Sequence, residues 1–105
     1  MNARANPARG EAAILVAGET LVLRPSFEAL VAAEEELGPL FALVERAAGG
    51  TLKLSEVAGL FWNCIAVRPE GLTRERLGAA IAELGLVRAT PVLRVLLSQI
   101  LQGRV

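Results

Sequence analysis

The sequence predicts an α+β fold: an N-terminal β-hairpin followed by a bundle of four to five short helices. Three observations predict it. Residues 11–24 alternate apolar and other side chains around a glycine turn. From residue 26 onward, apolar residues recur at helical spacing between Ser, Thr, Gly and Pro breaks. Hydrophobic residues make up 53% of the chain but aromatic ones only 4%. The excess is therefore Ala, Leu and Val, which tilts the balance toward helix. A length of 105 residues suits one domain. The expected division is a flexible N-terminus over 1–10 and a single α+β domain over 11–105.

In the hairpin, Ile14 and Val16 share one face of the first strand, and Leu21 and Leu23 the matching face of the second. The turn falls at Ala17-Gly18 or Gly18-Glu19. Ala13, Leu15, Thr20 and Val22 form the other face, which is also fairly apolar. A two-stranded hairpin is marginal alone, so it must pack on helices, pair with another strand, or both. Its second face is either covered by the chain's own helices or open to a partner.

Arg24-Pro25-Ser26 ends the hairpin, with Ser26 as helix cap and Glu28 in the first turn. Phe27, Leu30, Val31 and Leu37 lie at helical spacing on this first helix. Gly38-Pro39 stops it and starts a second, lined by Leu40, Phe41, Leu43, Val44 and Ala47, which ends at Gly49-Gly50. Ser55 is the expected cap of the third. Val57, Leu60, Phe61, Cys64 and Ile65 give the chain's strongest core-facing stripe. Trp62 sits off that stripe, either at the core edge or as an interface residue. Thr73 caps a fourth helix, with Leu72 and Leu77 as a hydrophobic staple, and its stripe is Leu77, Ala80, Ile81 and Leu84. Thr90-Pro91 is the expected start of the last helix. Its stripe of Val92, Leu93, Leu96, Leu97, Ile100 and Leu101, broadened by Val95, is wider than one packing contact covers.

Composition narrows the chemistry. The chain has no His, Asp or Tyr. It therefore lacks the usual general base near neutral pH, the commonest metal ligand and the Ser-His-Asp triad. No catalytic, cofactor-binding or metal-binding residue is expected, and no small-molecule ligand. Formal net charge is zero, so no global field draws in nucleic acid or an anionic membrane. Charge is uneven locally, acidic over 26–50 and basic over 70–105, as solvated helix faces often are. Cys64 is the single cysteine. It lies in an apolar stretch as a small buried hydrophobe, and a reducing cytoplasm suits it. Met1 to Gly10 has no apolar core, so no signal peptide is expected. Val57 to Val67 is far short of a membrane span.

Several features occur in a particular order. The chain starts Asn6-Pro7-Ala8-Arg9-Gly10-Glu11, and its hairpin ends Leu21-Val22-Leu23-Arg24. An acidic helix follows, from Phe27-Glu28-Ala29-Leu30 through Glu34-Glu35-Glu36-Leu37-Gly38. A Leu-rich helix comes next, then a helix opened by Leu72-Thr73. This order resembles the short tail assembly chaperones encoded beside the tape measure gene in gene transfer agents and related siphophages, a family also labelled as a phage tail tube protein. The hairpin tip departs from it: family members often carry Asp-Gly where this chain has Ala17-Gly18. The Phe61-Trp62-Asn63-Cys64 run departs as well.

The resemblance implies a cytoplasmic assembly factor that binds the tape measure protein and keeps it soluble until the tail tube polymerises around it. A small domain with spare apolar surface suits that task by the helix-in-groove mode, and many weak copies on one chain gain avidity. The hairpin edge would let copies associate as a homo-oligomer. Expected partner contacts are Leu15 and Val22 on the hairpin face, Trp62, and Leu93, Leu97 and Leu101 on the last helix. Two other readings stand beside this one. The first is a structural tail component, such as a tube or connector protein. The second is a small helical DNA-binding regulator, drawn from the Thr73–Gly85 segment followed by the Arg88-bearing helix. Zero net charge counts against the last.

Overall fold

The computed structural model describes residues 10–102. The expected flexible segment and the Asn6-Pro7-Ala8-Arg9 stretch lie almost wholly outside the described residues. Two strands, β1 (Ala12–Val16) and β2 (Glu19–Leu23), precede five helices. These are α1 (Phe27–Leu37), α2 (Leu40–Ala48), α3 (Leu54–Cys64), α4 (Arg74–Leu84) and α5 (Leu86–Gln102). The chain is an α+β protein of hairpin and helices, as its residue pattern predicts.

The strands pair antiparallel in the register Ala12↔Leu23, Ile14↔Leu21 and Val16↔Glu19. The loop is therefore the two residues Ala17-Gly18, with φ of 51° and 81°. Two consecutive positive φ values match the twist of the flanking strands. Ile14, Val16, Leu21 and Leu23 all enter the main core. Past Cys64 the chain turns extended and lies along β2: Ala66 N–H donates to the Val22 carbonyl at 2.9 Å and Arg24 N–H to the Cys64 carbonyl at 2.6 Å. Leu23 and Ile65 form an isolated antiparallel bridge there. The hairpin gains a partner strand in miniature, and the outer edge of β2 is closed.

The third-helix stripe is the centre of the molecule. Val57, Leu60, Phe61, Cys64 and Ile65 are each at most 7% exposed. Helix α3 packs against α1 and α4, and α5 covers β1. Leu43 of α2, Leu77 and Ile81 of α4, and Leu96 of α5 complete the core at 0% exposure. Leu72 packs against this core in front of Leu77, where the staple was expected.

Caps set the helix starts. The Ser26 hydroxyl accepts from Ala29 N–H at 3.2 Å and the Thr73 hydroxyl from Arg76 N–H at 3.2 Å. Two expected starts shift. Ser55 does not cap α3: the helix begins at Leu54, and the Glu56 carboxylate accepts from Lys53 N–H at 3.0 Å instead. Thr90 does not cap the last helix either. Gly85 turns the chain with a φ of 93°, and α5 restarts at once from Leu86. The Thr90 hydroxyl donates to the Leu86 carbonyl at 2.6 Å. Pro91 therefore falls inside the helix, where its ring removes the N–H that would reach the Val87 carbonyl. Val87 is 87% exposed, so water can meet that carbonyl.

Candidate functional site

The expected contact residues are spread over three elements and differ in exposure. Leu15 is 60% exposed on β1 and Leu101 54% exposed near the end of α5. Val22 is not an exposed face residue, at 8%. Its own strand edge is covered by the 64–66 segment, so it is a covered position rather than a contact surface. Leu93 and Leu97 are half-buried and pack against the core. The wide stripe of the last helix is thus mostly half-buried around the buried Leu96, because α5 packs on both β1 and α4.

Trp62 is half-buried and already has partners. The Arg68 guanidinium lies 4.4 Å from its ring centroid and that of Arg74 lies 5.6 Å away. Arg68 also donates to the Trp62 carbonyl at 3.1 Å. Arg74 donates through both terminal amines to the Glu36 carboxylate, and Asn63 Nδ2 donates to the same carboxylate at 3.2 Å. The Arg74 hydrogen bond holds the Glu36 carboxyl below the usual carboxylate range, with Asn63 assisting against partial burial. The ring faces guanidinium groups of its own chain, which makes it the edge of a tertiary cluster.

Periodicity missed other exposed groups. Phe27 is 82% and Phe41 78% exposed, and Val31 38%. Phe27 is the first residue of α1. Its Cβ tilts toward the helix N-terminus, beyond which no turn lies beneath it. Phe41 is about 200° around α2 from the buried Leu43, and Val31 about 200° around α1 from the buried Ala33. Helical angle measured from the innermost residue is the signal that would have placed them. Val67 is exposed in the connection after α3, at 79%, and Leu86 and Val87 are exposed in the first turn of α5, at 62% and 87%.

Two polar features were not foreseen. Glu11 is only 2% exposed and is paired with Arg24 Nε at 2.7 Å. The second is an open groove of about 420 Å³ between the hairpin tip and α4. Val16, Leu21, Leu72 and Ala80 give it an apolar floor, and Glu19, Glu70, Glu83 and Arg76 stand around it. None of the predicted contact residues lines it.

Cys64 is 1% exposed, and burial pushes its thiol up to about 12. It is a packing residue without thiolate character near neutral pH. Among the described residues no cluster of acidic or cysteine side chains could hold a metal ion, and no helix is long and apolar enough to cross a membrane.

A family model described as "Phage tail tube protein, GTA-gp10" matches residues 9–103. No curated protein and no solved structure matches the chain.

Proposed function

The chain belongs to the phage tail tube protein family of gene transfer agents, and on that premise we propose that it is a non-catalytic tail component that works through apolar protein–protein contacts in the host cytoplasm during tail assembly. The family match across residues 9–103 carries this reading. It is supported by large apolar side chains left exposed at Phe27, Phe41, Leu15 and Leu101. Phenylalanine is among the residue types enriched at protein interfaces. A side chain repertoire without His, Asp or Tyr suits binding better than bond-making chemistry.

A second reading is a chaperone that binds the helical tape measure protein and keeps it soluble. One observation favours it over a wall-forming tube subunit. The described residues hold two five-residue strands against five helices, and the outer edge of β2 is taken by residues 64–66. Little sheet edge is left to continue around a tube. The remaining edge, along Ala13 and Leu15 of β1, suits side-by-side association of two copies.

One experiment separates the readings. Particles are purified from cells carrying the intact tail gene cluster with this protein tagged. A structural component remains in stoichiometric amount in the finished particles. A chaperone is absent from them and copurifies with the tape measure protein from lysates arrested before tube polymerisation. A chain found in neither fraction refutes both.

A further inference from the structure

The groove between the hairpin tip and α4 has an uneven rim. Its floor is apolar: Val16 and Leu21 are 7% and 4% exposed, and Leu72 and Ala80 are half-buried. Its mouth carries three carboxylates, Glu19, Glu70 and Glu83, against one guanidinium, Arg76. Among the described residues the salt bridges are Arg24–Glu11, Arg46–Glu56 and Arg74–Glu36, so none of these three carboxylates is paired. Arg76 runs along the 69–72 turn, its Nη1 about 4.0 Å from where a Cβ on Gly71 would stand. The acidic groups are therefore not neutralised within the fold.

We propose that this groove docks a basic amphipathic helix of a tail partner, its apolar side chains on the Leu21–Leu72–Ala80 floor and its Lys or Arg residues against Glu19, Glu70 and Glu83. Unpaired negative charge surrounds an apolar floor. An acidic rim favours a basic segment and disfavours an acidic one by like-charge repulsion. A volume of about 420 Å³ is enough for side chains inserted from one helix. The surface is preorganised, because the hairpin tip and α4 are held by buried Leu21, Leu77 and Ile81. The proposal deepens the tail-protein reading by giving the partner's chemistry, and rests on it only for the partner's origin.

The test uses the full chain and two synthetic helical peptides of about 18 residues, long enough to form helix in solution. Both carry the same Leu/Ala face; one is flanked by Lys and the other by Glu. Binding is read by anisotropy and mapped by amide chemical shifts. The Lys peptide is expected to bind, shifting the amides of Leu21, Leu72 and Ala80, and to weaken as salt rises from about 50 to about 300 mM. The Glu70→Lys, Glu83→Lys double variant should bind it about tenfold more weakly. Glu83→Gln, which keeps the shape and removes one charge, should show a smaller loss, with an unchanged circular dichroism spectrum in each variant. Equal binding of both peptides overturns the proposal. So does a shift map centred on Phe27 or Leu101. Groove amides that shift with protein concentration alone overturn it too, since they assign the groove to a second copy. Absence of the chain from both tail fractions would remove the tail reading and leave this binding intact; failure of the peptides leaves the particle result intact.

Discussion

Glu36 near the end of α1 accepts both terminal amines of Arg74, the first residue of α4, across the flank of α3. The two residues are 38 positions apart. Their contact ties the first helix to the fourth over Trp62, whose ring lies beside the Arg74 guanidinium. Glu36→Gln should destabilise the fold by only about 0.5–1 kcal/mol, because the 45% exposed Arg74 side chain is screened by solvent. Urea unfolding should show a lower midpoint at unchanged slope, and added salt should shrink the difference. The pH dependence has a definite sign. The carboxyl of Glu36 is lowered by Arg74, and that of Glu56 by the Lys53 N–H and then by Arg46. A lowered folded value means stability that is complete above the unfolded carboxylate range of about 4.3 and is lost as pH falls through the folded values. Melting temperatures taken from pH 7 downward should drop below that range, and less steeply in Glu36→Gln, Glu56→Gln.

Gly59 of α3 lies against the end of α1. A Cβ there would stand 2.8 Å from Glu36 Oε2 and 3.1 Å from Leu37 Cδ2. Both are ends of flexible side chains, so Gly59→Ala can be absorbed by moving them. The gain in helix propensity, about 1 kcal/mol, should offset most of that cost. Gly59→Leu has no such escape and should cost about 1–3 kcal/mol. The pairing with Glu36 makes the effects non-additive: Glu36→Gln should cost less in the Gly59→Ala background, as a double-mutant cycle would reveal.

The hairpin tip is strained at one residue. Ala17 holds a φ of 51°, which a Cβ disfavours, while Gly18 holds 81° freely. Ala17→Asn should stabilise the chain by about 0.5–1 kcal/mol, since Asn tolerates this conformation and Asn-Gly suits this turn. Gly18→Ala should act in the opposite direction. Thermal denaturation of the two variants checks both signs, and equal melting temperatures would contradict the turn geometry.

Leu97 and Leu101 should behave differently when charged. Leu97 packs against the core, whereas Leu101 is 54% exposed. Leu97→Glu buries an unpaired carboxylate and should cost more than about 2 kcal/mol, with loss of cooperative unfolding. Leu101→Glu should change stability by less than about 0.5 kcal/mol. Any loss of tail-partner capture in Leu101→Glu can then be read as a contact effect. In Leu97→Glu it would report misfolding.

Much of the fold was legible because it rests on local chemistry. Ser26 and Thr73 each bring their own cap oxygen, Gly38 and Gly85 allow the positive φ that ends a helix, and the 57–65 stripe keeps its period for two turns. Where Thr90 and Ser55 misled, a stronger local partner won: the immediate restart after Gly85, and the Glu56 carboxylate reaching back to Lys53.

The sequence by itself determined the hairpin, the helices, the central place of α3 and the lack of His, Asp and Tyr, since alternation, capping and composition act within a few residues. Only the tertiary structure decided which apolar residues remain outside. Val22 is covered because residues 64–66 return to its strand, and Leu97 because α5 lies on both β1 and α4. Phe27 and Phe41 stay exposed because no element among the described residues comes to cover them. Exposure depends on what arrives from a distance in the chain, and a residue's own neighbours carry little record of that arrival.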